Sequence, residues 1–121
     1  ELFYAPIDVT VSEKDLFQPD VLVILREHLE RIREKRIVGA PDLIVEILSP
    51  GSLVIDRVIK RSAYERAGVA EYWLVDPKQK AIEVFVLEDG VYVSLGLFTG
   101  EQRISSRIVP EIPMPVAHFF G

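Results

Sequence analysis

Cysteine is absent from the 121 residues, and histidine occurs only at His28 and His118. These absences exclude disulfides and thiolate metal centres, so any bound metal is left to oxygen ligands. Long apolar runs are also missing. Nothing approaches the roughly 18 residues that cross a bilayer as a helix, and no basic-then-apolar leader precedes the first strand-like segment. The expected setting is the cytoplasm, with no membrane partner. A positive excess is missing too. The formal net charge is −5, which argues against a generic nucleic-acid coat but leaves room for a local basic patch. An initiator methionine is lacking: the chain opens on Glu1-Leu2-Phe3-Tyr4, already in strand-like sequence. Residues 1–121 therefore read as a single domain that is incomplete at its amino end.

What is present suits one ordinary domain, since 49% hydrophobic and 27% charged residues allow a sizeable core. Residues 2–11 are strand-like but broken by Pro6, which marks an edge. The runs over 21–25 and 43–48 are short and continuously apolar, as expected of central strands covered on both faces. Between them, Leu25, Leu29 and Ile32 are spaced by four and three, which predicts a short surface helix over 26–36 with a narrow apolar stripe. A second helix is expected over 56–67, stopped by Gly68 and packing Ile59, Ala63 and Ala67 inward. A strand over 71–76 ends at Asp76-Pro77. Residues 81–87 and 91–98 form a hairpin across Asp89-Gly90, a pair that favours positive φ. The proline-rich tail from Ser105 reads as an irregular strap pinned by Phe119 and Phe120.

The carboxylates in the apolar strands carry the functional signal. An unpaired buried carboxylate costs several kcal/mol, so one retained there is paired, protonated or holding a metal. Asp20 and Asp42 each follow a proline at a strand entrance, where a carboxylate can also simply cap a turn. Glu46 is different, because it lies inside Ile44-Val45-Glu46-Ile47-Leu48. Asp42 and Glu46 share a face, but four residues at about 3.3 Å each separate their Cα atoms by roughly 13 Å, too far for one ion. If the strand that follows Asp20 neighbours residues 43–48, Asp20 and Glu46 are the better pair. Asp56, Lys60 and Tyr64 form one polar helix stripe, which could overhang the Glu46 strand or be a surface ion pair with a neighbouring tyrosine. Glu71 and Asp76 read most simply as strand-end residues, and Tyr72 and Trp73 as core.

Several blocks in order resemble a known family: Gln18-Pro19-Asp20, then the stretch from Ala40 to Pro50, then Asp56, Lys60, Tyr64, Gly68-Val69, and Glu71 to Pro77. Together they look like the Uma-two endonuclease family, of the restriction-endonuclease-like fold whose signature is PD followed at a distance by (D/E)xK. The resemblance covers nearly the whole chain. It implies an α/β (α+β) architecture, with a mixed central sheet flanked by helices and a C-terminal antiparallel hairpin. It further implies Asp20 and Glu46 as metal-binding catalytic carboxylates, the Ile47 carbonyl as a third ligand, and Lys60 as the catalytic lysine. Leu48 stands where the signature lysine usually does, so the lysine would come from the following helix.

The implied activity is Mg²⁺- or Mn²⁺-dependent hydrolysis of a nucleic-acid phosphodiester, with DNA as the expected partner. Lys60 would orient water and offset charge on the phosphoryl oxygens. Arg57, Arg61 and Tyr64 are candidate phosphate contacts, since the helix carries a local cationic excess despite the acidic total. The alternative is a catalytically inactive interaction domain that keeps the nuclease fold and dimerises through exposed strand edges. A homodimer is expected.

Overall fold

The computed structural model describes residues 2–4, 8–10, 16–17, 21–23, 32–33 and 36–38 by their backbone, and residues 40–49, 51, 54–109 and 112–120 with side chains, Asp56 by its backbone alone. In chain order the strands are β1 (Leu2–Tyr4), β2 (Asp8–Thr10), β3 (Leu16–Phe17), β4 (Val21–Val23), β5 (Ile32–Arg33), β6 (Arg36–Val38) and β7 (Leu43–Ile47). Helix α1 (Val54–Ala67) follows, then β8 (Glu71–Asp76), β9 (Ala81–Glu88), β10 (Val91–Thr99) and a 3-10 helix over Val116–Phe120.

A six-stranded sheet runs β1-β4-β7-β8-β9-β10, and a smaller one runs β3-β2-β6-β5. The large sheet is mixed: β7 and β8 are parallel and joined through α1, while every other neighbouring pair in it is antiparallel. Parallel neighbours need a long crossover, which the helix supplies. β4 and β7 both lie inside this sheet, as their unbroken apolar runs require.

Side chains on alternate strand positions divide the core into two layers. On one face Leu43, Trp73, Ile82 and Val84 meet Ile104 and Val116 of the carboxyl-terminal strap. On the other, Ile44, Tyr72, Phe85 and Tyr92 meet Tyr64 of α1 and Val69. Three aromatic contacts knit that second layer: Tyr72 lies 5.7 Å from Tyr64, 5.8 Å from Phe85 and 6.0 Å from Tyr92 between ring centroids.

The local turn chemistry acts as the sequence suggests. Asp89 and Gly90 adopt φ of 51° and 79°, the twist-matched pattern of a two-residue hairpin. Gly68, at φ 84°, ends α1. Its N–H donates to the Glu65 carbonyl at 3.2 Å, and the Val69 N–H donates to the Tyr64 carbonyl at 3.1 Å, the paired bonds of a Schellman close. A Cβ at Gly68 would meet nothing within 4 Å, so only the backbone opposes a side chain there. Gly68→Ala is therefore expected to lower stability by about 1 kcal/mol, measured by urea denaturation.

Two expectations fail. The helix expected over 26–36 is contradicted where the chain is described, because Ile32–Arg33 and Arg36–Val38 are strands paired with each other and, through β6, with β2. The rest of that segment lies outside the described residues. The inward face of α1 is also rotated from the expected one. Ala63 is buried and Ala67 half-buried, but Ile59 is 53% exposed, and the enclosed residue is Tyr64. The polar stripe of α1 faces the sheet because there it buries an aromatic ring and reaches a carboxylate.

Candidate active site

Glu46 lies near the carboxyl end of β7, two residues after Ile44 and so on the face that α1 covers. It is 8% exposed. Such a carboxylate needs donors, and the helix provides two from successive turns. The Lys60 ammonium lies 3.4 Å from Glu46 Oε1, and the Tyr64 hydroxyl donates to Oε2 at 2.8 Å. Lys60 and Tyr64 are four residues apart and therefore stack on one side of the helix. Lys60 keeps 38% of its side chain exposed, so its charge sits between the carboxylate and solvent. Attraction across such a boundary exceeds that of a surface pair but is still moderated by water.

The sequence-derived candidates distribute around this centre unevenly. Ile47 ends β7, directly after Glu46, and is registered against Val75 with its side chain 46% exposed. Arg61 stacks its guanidinium 4.4 Å above the Phe85 ring centroid. Arg57 is half-buried one helical turn before Lys60. Tyr64 is fully enclosed, so the expected phosphate contact gives way to a different job: its hydroxyl fixes Glu46. The sequence placed Tyr64 on the right stripe but did not identify this bond. Asp42 is buried at the opposite end of the strand. Asp20 lies outside the described residues. The register nevertheless pairs Val21, the residue after Asp20, with Val45, the residue before Glu46.

The aromatic layer beneath Glu46 is held firmly protonated. Burial, then the charge of Glu46 and the bond to it, push the Tyr64 hydroxyl far above the ordinary tyrosine range. Burial and Glu46 raise Tyr72 as well, partly opposed by Arg61 and Arg57. Burial and the Glu65 carboxylate raise Tyr92. Tyr64 thus acts as a permanent hydrogen-bond donor to Glu46.

Glu46 is a hard oxygen donor of the kind Mg²⁺ and Mn²⁺ accept. Among the described residues, no three His, Cys, Asp or Glu side chains converge as a ready-made metal cluster. A divalent ion at Glu46 would therefore draw its other ligands from Asp20, a backbone carbonyl or water. That donor chemistry fits Mg²⁺, which retains several waters and uses few carboxylates.

Comparison with known proteins bears on the same residues. Residues 1–117 match the family model Uma2, described as "Putative restriction endonuclease". No curated protein matches the chain. Among solved structures, the chain is similar to a protein from Anabaena variabilis ATCC 29413 described as "a putative nuclease belonging to DUF820", with a TM-score of 0.81 and 18% identity. The likeness covers 98% of this chain and 66% of that one, so the chain spans just under two thirds of its neighbour's length. At this identity the match establishes the fold, an α+β nuclease-type fold. No helix among the described residues is long and apolar enough to cross a membrane.

Proposed function

The chain belongs to the Uma2 family, and from that premise we propose that it is a metal-dependent endonuclease that hydrolyses DNA phosphodiester bonds. The observation that carries this reading is the approach of Lys60 to Glu46, a lysine from a helix and a buried carboxylate from a strand, fourteen residues apart in sequence. Glu46, Asp20 and the Ile47 carbonyl would hold a Mg²⁺ ion. When bound, that ion supplies Lewis-acid polarisation of the phosphoryl group and neutralises part of its charge.

The protein's own groups have separable tasks. Tyr64 holds Glu46 Oε2 and so fixes the orientation of the carboxylate. Lys60, partly exposed, offsets the negative charge that grows on the phosphoryl oxygens and orients an attacking water. Arg61, already held by Phe85, is positioned to meet substrate phosphate without losing much further freedom. Association of two copies and a cytoplasmic location belong to the same proposal. β10 ends the large sheet as an edge strand and exposes Val91, Val93 and Leu97, which supports pairing.

The test is cleavage of plasmid DNA in Mg²⁺ or Mn²⁺, with chelator as the control. Lys60→Ala is expected to lower the rate about a hundredfold, roughly 2.7 kcal/mol of barrier. Glu46→Gln and Asp20→Asn are expected to abolish cleavage and to weaken Mn²⁺ binding measured by calorimetry. Wild-type protein that cleaves nothing with either ion, or Mn²⁺ binding indifferent to both carboxylates, would falsify the reading.

A further inference from the structure

We propose that the groove beside the Glu46–Lys60 centre seats the DNA backbone on one flank of the scissile bond, through Arg57 and Lys78. The inference rests on the nuclease reading and names a part of the substrate site that this reading leaves undefined.

The groove opens where β7 and β8 end. Its walls include Ser49 after β7, Arg57 from the first turns of α1, and the Asp76–Gln79 turn after β8, around a volume of about 800 Å³. Ser49 is three residues beyond Glu46 and Arg57 three residues before Lys60, so the groove runs on from the proposed catalytic pair. In open sheets with parallel strands, ligands gather beyond the carboxyl ends of those strands.

Its chemistry calls for an anion with several acceptor atoms. Arg57 Nε is buried and has no hydrogen-bond partner among the described residues. A guanidinium N–H enclosed without an acceptor is costly, and such a group commonly marks the place of a missing ligand. Arg57 also offers a planar fork of donors matched to phosphate oxygens. Lys78, exposed across the groove, adds a second cation. One carboxylate among the described residues, Asp76, lines the same space. Its Oδ1 already accepts the Lys78 N–H at 3.0 Å and the Gln79 N–H at 3.2 Å, which fixes it into the turn. Among the described lining residues, two cations against one committed carboxylate leave a local positive balance in an acidic protein. The groove exceeds a single phosphate and, at the upper end of ordinary ligand clefts, has room for a run of backbone.

The test is binding of a short fluorescein-labelled DNA duplex, followed by anisotropy across a potassium chloride series in chelator, so that cleavage does not enter. Each phosphate contact contributes about 0.9 to the slope of log K against log salt. Lys78→Ala is expected to reduce that slope by about 0.9 and to weaken binding about eightfold at 0.1 M salt. Arg57→Gln should do the same. Arg103→Ala removes an equal charge from an exposed position next to Ile104, which packs on the opposite sheet face, and should leave the slope unchanged. Lys78 is exposed, so its variant tests the groove without risk to folding. Lys78→Ala and Arg57→Gln slopes equal to that of Arg103→Ala would overturn the groove while leaving the nuclease reading intact. Wild-type protein with no salt-dependent binding would overturn both. Lowered slopes in a protein that does not cleave would support the groove and sink the catalytic assignment alone.

Discussion

Taking the protein from neutral pH to pH 11 is expected to remove about 4 kcal/mol of stability. Three of its four tyrosines, Tyr64, Tyr72 and Tyr92, lie in the layer between α1 and the sheet, at most 5% exposed. All three have hydroxyls raised above their ordinary value, chiefly by burial. In the unfolded chain each releases its proton near pH 10, while the folded state keeps it. The unfolded state then binds fewer protons, so stability falls as pH rises, starting near pH 10. At pH 11 the loss is about 1.4 kcal/mol for each group. Below pH 9 the three contribute no pH dependence. Urea midpoints at pH 8 and pH 11, followed by the fluorescence of Trp73, the single tryptophan, measure the loss. Tyrosinate absorbance should appear for these three only as the protein unfolds. Titration of all four near pH 10 with native circular dichroism retained would show that the layer admits hydroxide and that the argument from burial is wrong. The functional corollary is that Tyr64 keeps its proton, and with it the bond to Glu46, at alkaline pH where an exposed tyrosine would lose its own.

Local chemistry made part of this molecule readable in advance. β7 was evident because four branched apolar residues, Leu43, Ile44, Val45 and Ile47, lie between Asp42 and Leu48, and Gly68 and Asp89-Gly90 announced a helix end and a hairpin through the φ values they permit. The segment over 26–36 misled because its few apolar residues satisfy a helical spacing by chance. Its described parts are two short strands, and β6 takes a parallel partner, β2, from almost thirty residues upstream. Strand identity of that kind depends on a distant neighbour and leaves little local trace. The site divides in the same way. That Glu46 is a buried carboxylate followed from its flanking residues. That Lys60 reaches it followed only from the family resemblance, since spacing alone equally allowed a surface pair with Asp56. The rotation of α1 that aims Tyr64 inward was hidden because Val54, Ile55, Val58 and Ile59 are the more apolar side, yet all are more than half exposed.

Glu71 was the carboxylate most easily dismissed, and its removal is expected to cost about 4 kcal/mol. It opens β8 with no exposed surface. Three donors surround it: Trp73 Nε1 at 2.6 Å, the Ser106 hydroxyl at 2.5 Å and the Arg107 backbone N–H at 2.7 Å. Ser106 Oγ in turn accepts the N–H groups of Ile108 and Val109 at 3.2 and 2.9 Å. One side chain thus ties the strap to the sheet and holds Ile104 over the layer of Leu43 and Trp73. Nothing local to residue 71 reveals this, because two of its donors lie thirty-five and thirty-six residues away. Glu71→Ala leaves all three donors without their acceptor, and hydrogen bonds to a charged group are each worth about 1.5–3 kcal/mol but do not add fully. Glu71→Gln keeps the shape and one acceptor, so about half the loss is expected. Arg107 supplies an internal control, since its guanidinium also pairs with Glu88 at 2.7 Å, with both side chains about half exposed. Glu88→Ala should change stability by less than about 0.5 kcal/mol. Denaturation of the three variants, followed by Trp73 fluorescence, distinguishes the buried clamp from the surface pair. Equal midpoints for Glu71→Ala and Glu88→Ala would mean that the strap is held by its apolar contacts alone. A large loss for Glu71→Ala would place the main anchor of the nuclease-type sheet on the face opposite Glu46, where it can set β8, and through it β7, without touching substrate.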